Sequence, residues 1–334
     1  MGQAVHVLDL RDGRLTDSLN PLALAMMTGT DIAVVARSLA ADLVDRTGNE
    51  REPFWPQQAE NMLTAGIAWL LDDCTPEQRN LAHLYDLLTG SNADFTIATM
   101  LDAKNVRNRT AVSGFSAFLH LPDRDTRPSV LASALMPMRL FDSALVRRLT
   151  NRTTIDLDAL VAGEPMTLYI IVPPSRIVAY RPLLRSWLSG LMLALTQRET
   201  PPPLRTLFLC DEIAQLGRLD TFLTVSTLMR GYGVQLWSFW QNVAQLKGLY
   251  GEDANTLVDN AGVVQLFGIR NNRMAQDFAA LIGGVDADAI MAMPKDEQLL
   301  LIEGGRPRYA RKMRYFEEEL CAGLYDGAQN HGAR

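Results

Sequence analysis

Short apolar runs alternate with amphipathic stretches along most of this chain. The runs Ala4–Leu10, Thr167–Val172, Leu204–Cys210, Val234–Trp240, Gly262–Ile269 and Gln298–Ile302 have strand length and few polar interruptions. Near-continuous apolar runs of this kind are the pattern of parallel strands covered on both faces. Between them Arg181–Gln197, Leu219–Met229, a weaker stretch after Asn242 and Asn272–Ile282 place apolar residues at helical spacing. Strand–helix–strand alternation at this pitch predicts an α/β sheet with right-handed crossovers.

The interval from Pro53 to Asn151 breaks the alternation. It contains amphipathic Gln57–Leu71, Ala82–Leu88 and Val130–Leu149 and no strand-like run, which predicts an all-α insertion. The expected organisation is 1–52 as the start of an α/β domain, 53–151 as the insertion, 152–322 as the remainder, and 323–334 as a frayed tail.

Composition narrows the class. With 334 residues, 48% hydrophobic and a net charge of −6, the chain can bury a full core and is not a uniformly basic nucleic-acid binder. The charge is uneven, however: residues 1–100 carry 14 acids and 6 bases, whereas 101–152 carry 4 acids and 9 bases. Cys74, Cys210 and Cys321 form no CxxC, and the four histidines show no ligand spacing, so neither a disulfide scaffold nor a zinc site is expected. No apolar run approaches the ~20 residues that cross a bilayer.

The stretch Leu207-Phe208-Leu209-Cys210-Asp211-Glu212 carries the most chemistry. At the carboxyl edge of a parallel sheet, side chains leave the core and face a ligand crevice. An apolar strand ending in Asp-Glu is the Walker-B arrangement, in which the Asp holds Mg²⁺ through water and the Glu polarises the attacking water. The competing reading is an acidic helix N-terminus favoured by the helix dipole. The next strand ends in Gln241-Asn242, which reads either as a γ-phosphate contact or as a turn and cap. Arg230, before Gly231-Tyr232-Gly233, reads either as an arginine finger or as a last-turn cation.

These residues resemble the TraG/TraD-type coupling proteins of type IV secretion and conjugation, RecA-like ATPases of the additional-strand class. The resemblance rests on Asp211–Gly251 and Asn260–Gly284, with weaker support from Asn20–Leu22, Phe54–Leu63 and Leu168–Pro174. It implies an α/β fold with a RecA-like P-loop NTPase-type parallel sheet and an all-α insertion domain. It also implies a DNA or protein translocase using ATP and Mg²⁺. Asp211 and Glu212 would form Walker B, with Arg230 acting in trans and Gln241 sensing phosphate. The family forms homo-hexamers at the cytoplasmic face of the bacterial inner membrane. Its members bring relaxase–DNA complexes or protein effectors to the secretion channel, and single-stranded DNA is an implied ligand. The all-α domain is the substrate-contact part, which makes Lys104, Arg107, Arg109, Arg124, Arg127, Arg147 and Arg148 the candidate contacts.

Two departures qualify this. No GxxxxGK[ST] occurs in the chain. In the family that loop lies upstream of the strand matched by Ala4–Leu10, together with membrane helices. Little binding energy for a triphosphate is therefore evident, and the chain alone is expected to bind no nucleotide and to lack ATPase activity. After Gly262–Ile269, relatives often carry Asn-Asp where this chain has Arg270-Asn271-Asn272-Arg273. A non-catalytic adaptor that docks relaxosome, DNA or a full-length coupling protein is the alternative, as is a truncated gene product. The basic, aromatic stretch Arg306–Tyr315 reads as a solvated edge strand in preference to a nucleic-acid surface.

Overall fold

The computed structural model describes residues 2–13, 16–29, 31–44, 52–122, 124–303 and 305–323. It divides into two compact units, Met1–Trp240 and Gln241–Arg334. The first unit opens with β1 (Ala4–Asp9), which pairs in parallel with the distant β2 (Met166–Ile171). Everything described between these two strands is helical or loop. In order come α1 (Pro21–Met27), α2 (Ile32–Leu43), α3 (Phe54–Asp72), α4 (Leu81–Thr89) and α5 (Ala93–Asp102). They are followed by α6 (Arg109–Leu119), α7 (Thr126–Leu135), α8 (Ala144–Thr150) and α9 (Leu157–Ala162). The apolar stretch Val130–Leu149, expected as one amphipathic segment, is broken between α7 and α8. Pro137 lies in the break, where it has no amide to continue the helical ladder.

Helix α3 is the hub. Residues Met62–Leu71 are buried without interruption, which requires partners on every side. Helices α2, α6 and α7 supply them, and the α3–α6 crossing is close because it uses glycine. A Cβ added at Gly114 would lie 2.6 Å from the Ala65 Cβ. The same core takes in Phe115, Phe141, Leu149 and, from α10 (Ile177–Ala194), Leu183 and Trp187. Trp187 is fully buried, and its indole Nε1 donates to the Leu19 carbonyl at 2.8 Å, so its one polar atom is satisfied. Side chains of Asn20, Asp31, Asn80, Asn108 and Asp156 accept amides at the starts of α1, α2, α4, α6 and α9, the N-cap chemistry expected of Asn and Asp.

After α10, β3 (Thr206–Cys210) and β4 (Val234–Ser238) pair in parallel, connected through α11 (Asp220–Leu228). The two strand pairs form separate ladders. The expectation of strands covered on both faces does not hold here. Leu168, Ile170 and Phe208 pack on the core, whereas Val5 and Tyr169 on one pair, and Leu207, Leu209 and Trp237 on the other, are exposed. Alternation, and not two-sided burial, is the pattern within this unit.

The second unit carries α12 (Val243–Tyr250), α13 (Asp253–Asp259), β5 (Val263–Leu266), α14 (Asn272–Ile282), α15 (Ala287–Ala292), β6 (Glu297–Ile302) and β7 (Arg308–Arg311). Its sheet has the order β5–β6–β7 and is antiparallel throughout, which corrects the expectation of parallel strands for Gly262–Ile269 and Gln298–Ile302. A small core of Leu266, Ala275, Phe278, Ile290 and Leu299 lies between this sheet and α14 and α15. The basic stretch near the C-terminus supplies β7, an edge strand. The tail beyond residue 323 lies outside the described residues.

Candidate functional site

Strand β3 ends by burying Cys210 and releasing Asp211 and Glu212 into solvent. Burial pushes the Cys210 thiol up to about 12, so it is a packing residue and not a nucleophile. Glu212 adopts a left-handed backbone, φ 53° and ψ 35°, which a non-glycine residue holds at a cost of roughly 1 kcal/mol. Behind it a single 3-10 turn, Ile213–Leu216, is anchored by buried Ile213, and the Gln215 amide donates to the Glu212 carbonyl at 2.9 Å. No α-helix begins here, and the Glu212 side chain caps no amide of the turn. The helix-dipole reading of the acidic pair therefore loses its basis. Both carboxylates sit where a parallel pair presents its carboxyl edge.

Strand β4 reaches the same edge. Cys210 lies opposite Ser238, and the Phe239 amide donates to the Cys210 carbonyl at 3.1 Å. Arg230 belongs to the opposite end. It lies on the 3-10 turn Met229–Tyr232 that leads into β4, and the Gly233 carbonyl accepts from the Thr206 amide where β3 begins. A five-residue strand rises about 16 Å, so the backbone of Arg230 is separated by that much from the acidic edge; its side chain lies outside the described residues. Gln241 opens the second unit. There its amide donates to the Gln245 Oε1 at 3.0 Å, the Gln245 amide group donates back to the Gln241 Oε1 at 3.2 Å, and Asn242 caps α12 by accepting the Gln245 backbone amide at 2.9 Å. Thus Asp211 and Glu212 are brought together, Arg230 is held apart from them, and Gln241 and Asn242 make the local hydrogen bonds that open α12.

Three arrangements were not anticipated from sequence. Asp9, nearly buried at the carboxyl edge of β1, accepts the Arg11 amide at 2.8 Å and two-pronged guanidinium bonds at 3.0 and 2.8 Å. Those bonds hold its carboxyl below the usual carboxylate range. Arg198 donates to the carbonyls of Leu160, Val161 and Tyr232 and to the Thr206 hydroxyl, so it ties the turn carrying Arg230 to the start of β3. Arg185, in the middle of α10, donates to the carbonyls of Asp42, Leu216 and Arg218 at 2.8, 3.1 and 2.7 Å. The Asp42 carboxyl accepts from the Ser189 hydroxyl at 2.9 Å, and burial pushes it up to about 7 despite that bond and the nearby Arg185 charge.

The bases of the helical region separate into two groups. Arg147 forms a two-pronged pair with Asp86 at 2.8 and 2.6 Å, donates to the Phe141 carbonyl, and lies over the Tyr85 ring. Arg107 pairs with Asp73 at 3.3 Å, Arg127 donates to the carbonyls of Leu119 and Leu121, and Arg148 donates to the Gly13 carbonyl at 2.7 Å. These four brace the fold. Among the described residues, Lys104, Arg109 and Arg124 are exposed and take part in no such contact.

The acidic edge fits one part of a nucleotide site. Among the described residues no group of three or more His, Cys, Asp or Glu side chains converges to hold a metal directly. Two exposed carboxylates at a strand end fit Mg²⁺ held through water, with phosphate oxygens filling the remaining positions. A triphosphate does not fit on these residues alone, because no GxxxxGK[ST] loop occurs in the sequence to cradle it. No described helix is long and apolar enough to cross a membrane.

Known proteins resemble the chain over most of its length. VirD4 of Rhizobium rhizogenes is 24% identical over 350 residues, covering 94% of this chain and 51% of that protein. The conjugal transfer protein TraG of Escherichia coli is 25% identical over 287 residues, covering 79% of this chain and 44% of its own. The chain therefore spans about half the length of the curated relatives it matches. Among solved structures, the plasmid coupling protein TrwB in complex with ADP and Mg²⁺ matches with a TM-score of 0.71 at 16% identity, over 92% of this chain and 73% of that one. At that identity the likeness speaks for fold, a RecA-like P-loop NTPase architecture with a helical domain. A family model for type IV secretory system conjugative DNA transfer matches residues 1–285, from β1 through the acidic edge to α14, and the chain belongs to that family.

Proposed function

We propose that this chain is the portion of a conjugative coupling protein that carries the acidic edge of the motor and the helical domain that meets cargo. The observation supporting this most strongly is the strained Glu212 beside Asp211 at the carboxyl edge of β3–β4. A left-handed non-glycine residue at a strand end is the kind of strain that active sites retain. In the assembled motor Asp211 would hold Mg²⁺ through water, Glu212 would serve as the base toward the attacking water, and Gln241 would contact the γ-phosphate. Arg230, held at the far end of β4, serves the nucleotide of a neighbouring subunit in a hexameric ring. The bound nucleotide and Mg²⁺ supply the phosphoryl group and its charge neutralisation. Residues 53–151 receive relaxase–DNA or effector cargo for the secretion channel at the cytoplasmic face of the inner membrane, and the exposed Lys104, Arg109 and Arg124 are the bases available to single-stranded DNA.

The purified chain is expected to show no ATP turnover; turnover abolished by Glu212→Gln would overturn that expectation. A single-stranded oligonucleotide should bind with a salt-dependent affinity whose log–log slope falls when Lys104, Arg109 and Arg124 are changed to Gln. A second reading is a non-catalytic adaptor acting through the helical region. That reading predicts capture of relaxosome, DNA or a full-length coupling protein that survives truncation to residues 53–151.

A further inference from the structure

We propose that Arg185 is a positioning residue that holds the acidic turn in its strained form by bolting it to helices α10 and α2. The inference rests on the role proposed for Asp211 and Glu212. Arg185 is 5% exposed and donates to three backbone carbonyls. Its Nη1 draws the carbonyls of Leu216 and Arg218 onto one nitrogen, and these two residues flank Gly217, whose φ of 73° ends the 3-10 turn. Its Nε donates to the carbonyl of Asp42, in the last turn of α2, where helix carbonyls lack intrahelical donors. One guanidinium therefore joins three elements: α10, the end of α2, and the turn that begins at Glu212.

A left-handed glutamate persists only where its surroundings over-determine it. Ile213 fixes the turn from below and buried Leu219 fixes its exit into α11. Neither constrains the carbonyls at Leu216 and Arg218, which the planar, multi-donor guanidinium does. Lysine in its place has a single nitrogen and cannot span carbonyls on both sides. Helix α2 packs extensively on α3, so the bolt also links the acidic turn to the helical region.

Amide hydrogen exchange on the purified full chain tests this without nucleotide, so absence of ATP turnover would leave it standing, and its own failure would leave the motor reading standing. In Arg185→Lys, exchange across residues 212–219 and 40–44 is expected to accelerate at least tenfold while α3 stays unchanged. Arg185→Gln should accelerate it further. Trp187→Phe, which breaks the bond to Leu19 two residues along the same helix, should leave 212–219 unchanged. In a Glu212→Gly background, where the left-handed backbone is unstrained, the Arg185→Lys effect should shrink at least threefold, a coupling that general loosening of α10 would not produce. Equal acceleration in Trp187→Phe, no acceleration in Arg185→Lys, or an undiminished effect with Glu212→Gly would overturn the proposal. If Arg185→Gln does not fold, Arg185→Lys decides.

Discussion

The helices around α3 and the paired strands of the same unit are built from similarly apolar sequence, yet they use it differently. In α3, ten consecutive residues from Met62 to Leu71 are covered, and glycine is used at Gly114 to let α6 approach. In β3, Leu207 and Leu209 are 50% and 61% exposed, with Trp237 on β4 at 49% beside them. Burial stabilises only where a partner surface exists, at about 25 cal/mol for each Å² of apolar surface removed from water. The helical region contains its partners. The strands have a partner on one face only, so the hydrophobicity of the other contributes little to the stability of this chain.

The comparison can be broken by substitution. Phe115→Ala empties a fully buried site against α3 and should cost about 3–5 kcal/mol in denaturant unfolding; a loss under 1 kcal/mol would mean the helical core is looser than its contacts indicate. At the seam between helices and acidic turn, Asp42 titrates with its folded pKa raised to about 7. A raised folded pKa makes the associated stability fully present below the unfolded value of 3.8 and lost as pH rises through about 7. Stability should therefore fall by about 3–4 kcal/mol between pH 4 and pH 7.5 from this group, and Asp42→Asn should flatten that part of the profile. Glu212→Gly relieves the left-handed strain and should gain roughly 0.5–1 kcal/mol by the same measurement. Smallest of all, Leu207→Ala and Leu209→Ala should each change stability by under about 0.5 kcal/mol. A large loss at either leucine would show its face to be covered.

The sequence disclosed periodicity well and partnership poorly. Helix α14 begins and ends at the residues its apolar spacing indicates, and every strand-like run, the basic edge stretch included, lies on a strand, within a few residues at its ends. Asp211 and Glu212 were legible because a strand end announces itself where an apolar run meets charge. Strand direction was not, since β5 and β6 have the same local pattern whether parallel or antiparallel. Arg185 and Arg198 were also hidden. They donate mostly to backbone carbonyls, and no residue identity marks those. Arg107, Arg127, Arg147 and Arg148, expected as substrate contacts, each have a structural partner far enough along the chain that local pattern does not reveal it.

The pairing of β1 with β2 has a consequence for how the chain is made. Ala4 meets Met166, so among the described residues β1 has no ladder partner until the whole helical region has left the ribosome. At ~5–20 residues per second that wait is on the order of ten to thirty seconds. Local contacts form quickly and long-range strand pairing slowly, so the helices around α3 are complete before the sheet begins to close. Biogenesis thus runs from the middle outward, and a nascent chain stalled before residue 166 would present a folded helical domain with an unpaired apolar strand trailing from it.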